Sequence, residues 1–186
     1  MSNLPICSNM PRLIPERPFP PYRYVNGLNP HPIKDPRGHS YGSQEPMYSQ
    51  EYLDPDNWQQ NKDYLYGIDL YHHGYFWESH EAWEGLWNAY GRETIPGKFM
   101  QGLIQNAAAQ IKLHKKQLSG VCSLSKKSWA NLTVVSDCLQ RNDRNNFMGI
   151  SITELFSEMK RCYKPFWNGT PNFSNVVIPI LRIHNP

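Results

Sequence analysis

Ten of the sixteen prolines in this 186-residue chain fall within the first 46 residues, and that asymmetry limits the fold more than any other feature of the sequence. Proline lacks a backbone N–H, clashes with the helical carbonyl one turn back, and biases the residue before it toward extended geometry. With prolines at 5, 11, 15, 18, 20, 21, 30, 32, 36 and 46, neither a 3.6-residue nor a two-residue hydrophobic period is sustained there. Residues 1–53 are therefore expected to form an irregular arm, 54–165 a helical bundle, and 166–186 an extended tail packed on that bundle. The tail is apolar at Val176, Val177, Ile178, Ile180, Leu181 and Ile183, but Pro179 removes a donor in its midst, which argues against a central strand.

Between arm and tail the hydrophobic period is helical. A first helix is expected from Asp54-Pro55-Asp56 through Tyr71, with Leu65, Ile68, Leu70 and Tyr71 for packing, and a stop or tight turn at Gly74. A second runs over about 75–90, where Gly91 suits a left-handed cap. The third, near 98–117, puts Met100, Leu103, Ala107, Ile111 and Leu118 close to one face, with Gln101, Gln105, Ala108 and Lys112 on the adjacent one, and ends at Ser119-Gly120. Leu124, Leu132, Val135 and Leu139 mark a fourth helix, and 141–146 reads as a polar loop. Ser151 with Glu154 three residues on resembles a capping box, opening a fifth helix that buries Ile152, Leu155, Phe156 and Met159 and stops at Pro165. No repeat or sustained heptad competes with this pattern. The expected class is all-α: a single bundle of about five helices.

Chemistry concentrates in the second helix, Gly74-Tyr-Phe-Trp-Glu-Ser-His-Glu-Ala-Trp-Glu-Gly-Leu-Trp87. At about 100° per residue, Phe76, Trp83 and Trp87 share one side, while Trp77, His80, Glu81, Glu84 and Asn88 form an adjoining polar stripe. His80 and Glu84 stand one turn apart, close enough to share a proton or a metal ion. Glu78 points about 100° or more away, toward the preceding helix or the arm.

This run, followed by Gln101-Gly-Leu-Ile-Gln-Asn-Ala-Ala-Ala109, resembles the prokaryotic domain of unknown function 309 family over roughly 64–139. The family's His-x-x-x-Glu-x-x-Trp pattern is present as His80, Glu84 and Trp87. Its Phe-Glu-Ala-His-Glu pattern is matched with Trp77 and Ser79 in place of the commoner Phe and Ala. The resemblance implies a helical core and a suggested metal-binding role for the motif, with no activity assigned. The stretch from Pro30 to Tyr41 looks like an extension carried by longer members.

Imidazole and carboxylate both suit zinc, iron or manganese, and bundles mount such ligands on facing helices. Two ligands are too few, and Glu81, His114, His73 and His39 are the candidates for a third or fourth. The alternative is a hydrogen-bonded pair that orients helices around a tryptophan-filled core. In a metal-free pocket, Glu81 or Glu84 accepts a proton and His80 donates one, while Glu78, Gln101, Gln105, Lys112 and Trp77 contact a ligand. His31, Lys34, Asp35, Arg37 and His39 of the arm fold over the bundle or meet a second subunit, and His72 and His73 terminate the first helix.

A net charge of +3 with scattered basic residues makes nucleic acid a poor partner. Cys7, Cys122, Cys138 and Cys162 make no close pair, as expected of reduced thiols in a cytoplasmic protein. Prolines interrupt any apolar signal at the N-terminus, and the most apolar helical stretch, near 103–113, carries Gln105, Asn106, Gln110 and Lys112, so no membrane span is expected. Phosphate-loop and dinucleotide glycine patterns are absent, and no serine or cysteine has an activating context. These residues support two functional expectations. One is a polar pocket around His80 and Glu84 that binds a small ligand or divalent metal and extends to catalysis. The other is a non-enzymatic interaction or homo-oligomerisation module in which the cluster is structural.

Overall fold

The computed structural model describes residues 10–43, 47–49, 51–174 and 176–184. A 3-10 helix, Pro55–Gln60, precedes five α-helices: α1 Lys62–His72, α2 Phe76–Tyr90, α3 Ile95–His114, α4 Leu118–Gln140 and α5 Ile152–Trp167. A two-residue-per-strand hairpin, β1 Asn146–Phe147 and β2 Ile150–Ser151, joins α4 to α5. The class is the expected helical bundle. Among the described residues, no helix is long and apolar enough to cross a membrane.

Local chemistry sets the boundaries. The Asp54 side chain accepts from Asp56 N and opens the 3-10 helix, and the Asn61 side chain accepts from Tyr64 N at 3.0 Å and opens α1. The first helix is thus divided at Asn61, whose own backbone leaves helical geometry to cap α1. At the α1–α2 turn, Gly74 takes φ +79°, Tyr75 N donates to Leu70 O at 2.8 Å and Gly74 N to Tyr71 O at 3.1 Å. These two bonds are the Schellman closure that a left-handed residue permits. Thr94 caps α3 by accepting from Gly97 N.

Three boundaries differ from expectation. Between α3 and α4 the left-handed position is taken by Lys116 (φ +53°), with Gln117 N bonded to Lys112 O. Ser119 and Gly120 therefore fall inside α4 rather than ending α3. Pro165 lies within α5, where the missing donor costs one bond so near the helix end. Residue 146 begins a strand rather than closing a loop: Met148 and Gly149 both have positive φ, as a two-residue hairpin of matching twist requires. The Ser151 cap is as expected, its side chain accepting from Glu154 N at 3.3 Å.

α3 is central, packed between α2 and α4, while α1 lies on α2 and α5 on α4. Tyr64, Tyr71, Trp83, Phe99, Leu103 and Tyr163 fill the core. Trp83 donates its indole N–H to Tyr64 O at 3.1 Å and lies directly over Gly67, where an added Cβ would sit 2.1 Å from Nε1. Beneath this aromatic layer, Tyr163 donates to Asn106 Oδ1 at 2.6 Å and Gln110 donates to the Tyr163 hydroxyl at 2.5 Å. After α5 the chain is extended. Leu181 N donates to His72 Nε2 at 3.1 Å, Ile183 bridges Ile150, and Ile178 and Leu181 are buried. Cys122, Cys138 and Cys162 are free thiols, and Cys7 lies outside the described residues.

Candidate ligand pocket and metal-capable cluster

The arm is held to α1 by one buried carboxylate. Asp69 accepts from Leu13 N at 2.8 Å and from Ile14 N at 2.9 Å, with Arg12 Nε at 3.5 Å. Further along, Arg17 pairs with Asp63 at 2.7 Å and lies 4.0 Å over the Tyr66 ring, while Tyr66 donates its hydroxyl to Pro18 O. Phe19 stacks on Tyr75 at 5.0 Å. Proline removes backbone donors that would otherwise need partners in this seam, so aromatic and cationic side chains add to the adhesion that Leu13 N and Ile14 N begin.

The arm then crosses α2. Tyr24 N donates to Glu78 Oε1 at 2.7 Å, and the rings of Tyr24 and His31 meet Trp77 edge-on at 5.2 and 5.4 Å. His39 comes next, with Nδ1 2.9 Å from Ser40 Oγ and Nε2 3.4 Å from Glu78 Oε1. Asp35 and Arg37 pair with each other at the exposed turn between them. Between the arm and the α1–α2 face remains a cavity of about 540 Å³, lined by Phe19, His39, Trp77, Glu78, Glu81 and Glu84 among others. That volume is within the range of small-molecule sites.

Glu78 is the unusual group in it. The residue is 5 % exposed and its Oε2 has no hydrogen-bond partner. Burial pushes the carboxyl up to about 7, against the pull of its own backbone N–H, Tyr24 N and the Arg23 charge, with Glu81 adding to the rise. Burial likewise holds His39 below the usual imidazole range. One proton shared across the 3.4 Å contact spares the pair from placing two charges out of water.

A second group lies on the same helix. His80 Nδ1 is 3.2 Å from Glu81 Oε1 and 3.9 Å from Glu84 Oε2, and one ligand atom from each residue lies within 4.8 Å of the others. Among the described residues this is the cluster of three able to hold a metal ion. Of the four candidate additional ligands, Glu81 is therefore the one brought to His80 and Glu84. His39 meets Glu78, His73 Nδ1 bonds Asp69 O at 2.8 Å, and His114 stays outside the group.

The α3 residues go elsewhere. Gln105 accepts from Asn131 of α4 at 3.0 Å, the Lys112 stem lies against Gly120, and Gln101, Gln105 and Lys112 are not on the cavity wall. Helical spacing places them on one stripe correctly, but which neighbour covers that stripe depends on the bundle's packing order. Arg17 and Asp63 line the cavity, although no sequence pattern singles them out. No spacing rule reaches them from α2.

Residues 64–124 match the family model described as Domain of unknown function (DUF309). The matched segment covers most of α1, all of α2 and α3 and the start of α4, so it contains Glu78, His80, Glu81, Glu84 and Trp87. The arm that closes the cavity lies outside it. No curated protein and no solved structure matches the chain.

Proposed function

We propose that the chain binds a small organic ligand in the cavity between its arm and α2, anchored by Glu78, and a divalent metal at His80, Glu81 and Glu84. The observation that carries the ligand reading is the buried, unpartnered Glu78 Oε2 on a cavity wall. An acceptor without a partner in a protein interior costs about 1–3 kcal/mol, more if charged, and a ligand donor removes that cost. The arm's contacts with Asp69 and Glu78 set it against α1 and α2, where it lines the cavity.

The donor set suits a metal. Oxygen and nitrogen ligands about 2.1 Å from a tetrahedral ion stand about 3.4 Å apart. The 3.2 and 3.9 Å separations around His80 require only small side-chain adjustment. Three protein ligands at a partly exposed position leave room for water or substrate, the arrangement of open rather than structural sites. A bound zinc, iron or manganese would supply Lewis acidity there. In a catalytic version, Glu78 exchanges a proton with the ligand and His39 takes or returns it, both being within the cavity wall.

Elemental mass spectrometry on untagged protein tests the metal half, beside a His80→Ala variant whose helicity is checked by circular dichroism. Near-stoichiometric metal in the native chain and its loss in the variant are expected. Absence of bound metal after incubation with zinc, manganese and iron under reducing conditions would remove the metal from the proposal and leave the ligand cavity standing alone.

A further inference from the structure

We infer that the cavity takes an organic cation, an ammonium or guanidinium on an apolar body, with its N–H groups directed at Glu78 Oε2. The inference rests on the cavity reading above and adds the class of ligand.

Charge balance is the first argument. Asp63, Glu78, Glu81 and Glu84 line the space, and the one basic side chain among the lining residues that carries a fixed charge is Arg17. Arg17 is already engaged, 2.7 Å from Asp63 and 4.0 Å over Tyr66. His39 faces Glu78 at 3.4 Å, and burial disfavours its charged form. With no metal at His80, Glu81 and Glu84, an anionic ligand would thus meet three carboxyl groups and no uncommitted cation among the described lining residues, and with a metal bound there Glu78 is still the carboxyl left to a ligand. A neutral ligand could satisfy Oε2 but would bring no charge to compensate Glu78.

The second argument is the unpartnered acceptor. Glu78's side chain is 4 % exposed, its Oε1 is occupied by Tyr24 N and faces His39, and Oε2 alone remains for a ligand. A donor carrying positive charge makes the stronger bond there, because it adds ion-pair attraction that a neutral donor lacks.

The third is what the seam already accepts. Arg12 lies 4.0 Å over Phe19, Arg17 4.0 Å over Tyr66 and Arg23 5.2 Å over Tyr75. Arg17 and Arg23 dock the arm by laying guanidinium groups on aromatic faces of the bundle, Arg12 does the same within the arm, and Trp77 adds a further ring to the cavity wall. A cationic head on an apolar body uses the same chemistry.

The test uses matched probes on the full-length chain: benzylamine and 4-phenylbutylamine, each beside its alcohol and its carboxylic acid. Binding is followed by the Trp77 indole N–H in proton–nitrogen correlation spectra, assigned with Trp77→Phe. The amines are expected to bind about tenfold more tightly than the alcohols, with the acids weakest, and Glu78→Gln should cut the amine advantage to about the two- to threefold that the remaining carboxyls supply while leaving alcohol binding unchanged. Glu84→Gln, at the solvent side of the wall, should lower amine affinity about two- to threefold and guards against a folding defect in the buried variant. Alcohols or acids binding as tightly as amines, or a full tenfold amine preference that survives Glu78→Gln, would overturn the cation class and leave the cavity. If no probe moved Trp77, the cavity reading itself would fall.

Discussion

Two buried titratable groups, Glu78 and His72, should give this protein a pH–stability profile flatter than either alone would produce. Glu78 has its carboxyl raised from 4.5 to about 7 chiefly by burial, with Arg23 and Tyr24 N opposing and Glu81 assisting, and with His39 facing it. Between those values the folded state holds a proton that the unfolded state has lost, so stability falls as pH rises, by about 1.4 kcal/mol per pH unit and about 3 kcal/mol in all. His72, 3 % exposed, is lowered from 6.5 to about 4 by burial, with His73 and Arg182 adding to the drop. Between 4 and 6.5 the unfolded state holds the extra proton, and stability rises with pH by a similar amount. From about 4.5 to 6.5 the two slopes oppose each other. Glu78→Gln retains an acceptor for Tyr24 N and removes one slope. Its stability relative to the native chain should climb by about 3 kcal/mol between about pH 4.5 and 8, and its own profile should turn acid-sensitive. His72→Gln, which retains an acceptor for Leu181 N, should lose stability relative to the native chain as pH rises from about 4 to 6.5 and be the more alkali-sensitive protein. Urea unfolding followed by tryptophan fluorescence, with EDTA present so that His80 binds no metal, reads both profiles. A Glu78→Gln difference that stays constant within about 1 kcal/mol from about pH 4.5 to 8 would refute the argument that burial dominates this carboxyl.

Two further predictions concern the frame. Gly67→Ala puts a methyl 2.1 Å from the Trp83 indole, which is itself fully buried and bonded to Tyr64 O; despite alanine's better helix propensity, a loss of about 2–3 kcal/mol is expected in urea titration, and an unchanged midpoint would mean that α1 and α2 separate easily. Asp69→Ala removes the acceptor of Leu13 N and Ile14 N, so the arm should detach before the bundle unfolds. Faster amide exchange over 10–43 and about 3 kcal/mol less stability are expected, whereas exchange confined to α1 would show that the arm is held by its aromatic contacts instead.

The helices are legible in the sequence because a 3.6-residue period is local, and Phe76 and Trp83 lie on the buried side it assigns. Their partners are not legible. The sequence pattern sets Gln101, Gln105 and Lys112 toward the His80 pocket, but α3 is packed between α2 and α4, and Gln105 bonds Asn131 of α4. Nor does any period foretell that Asn106 and Gln110 are polar because Tyr163, more than fifty residues away, bonds them. The expected stop at Gly120 fails for a simpler reason: a lysine supplies the left-handed turn that glycine usually makes.

For the site, the sequence places the right helix but weights its acids by their spacing, whereas burial weights them differently. His80, Glu81 and Glu84 form the one-turn cluster that spacing predicts, and all three remain partly open to solvent. Glu78, two residues before His80, faces the arm instead, and Tyr24 and His39 cover it across 54 and 39 residues of chain. An irregular arm has no period from which that contact could be read, yet it removes water from the carboxyl and leaves one oxygen without a partner. The segment that matches the family model carries both Glu78 and the His80 cluster, but it does not supply the wall that buries Glu78. Glu78's raised carboxyl and the cavity beside it are therefore joint products of the arm and α2, and losing the arm should return Glu78 toward an ordinary solvated carboxylate while leaving the His80 cluster in place.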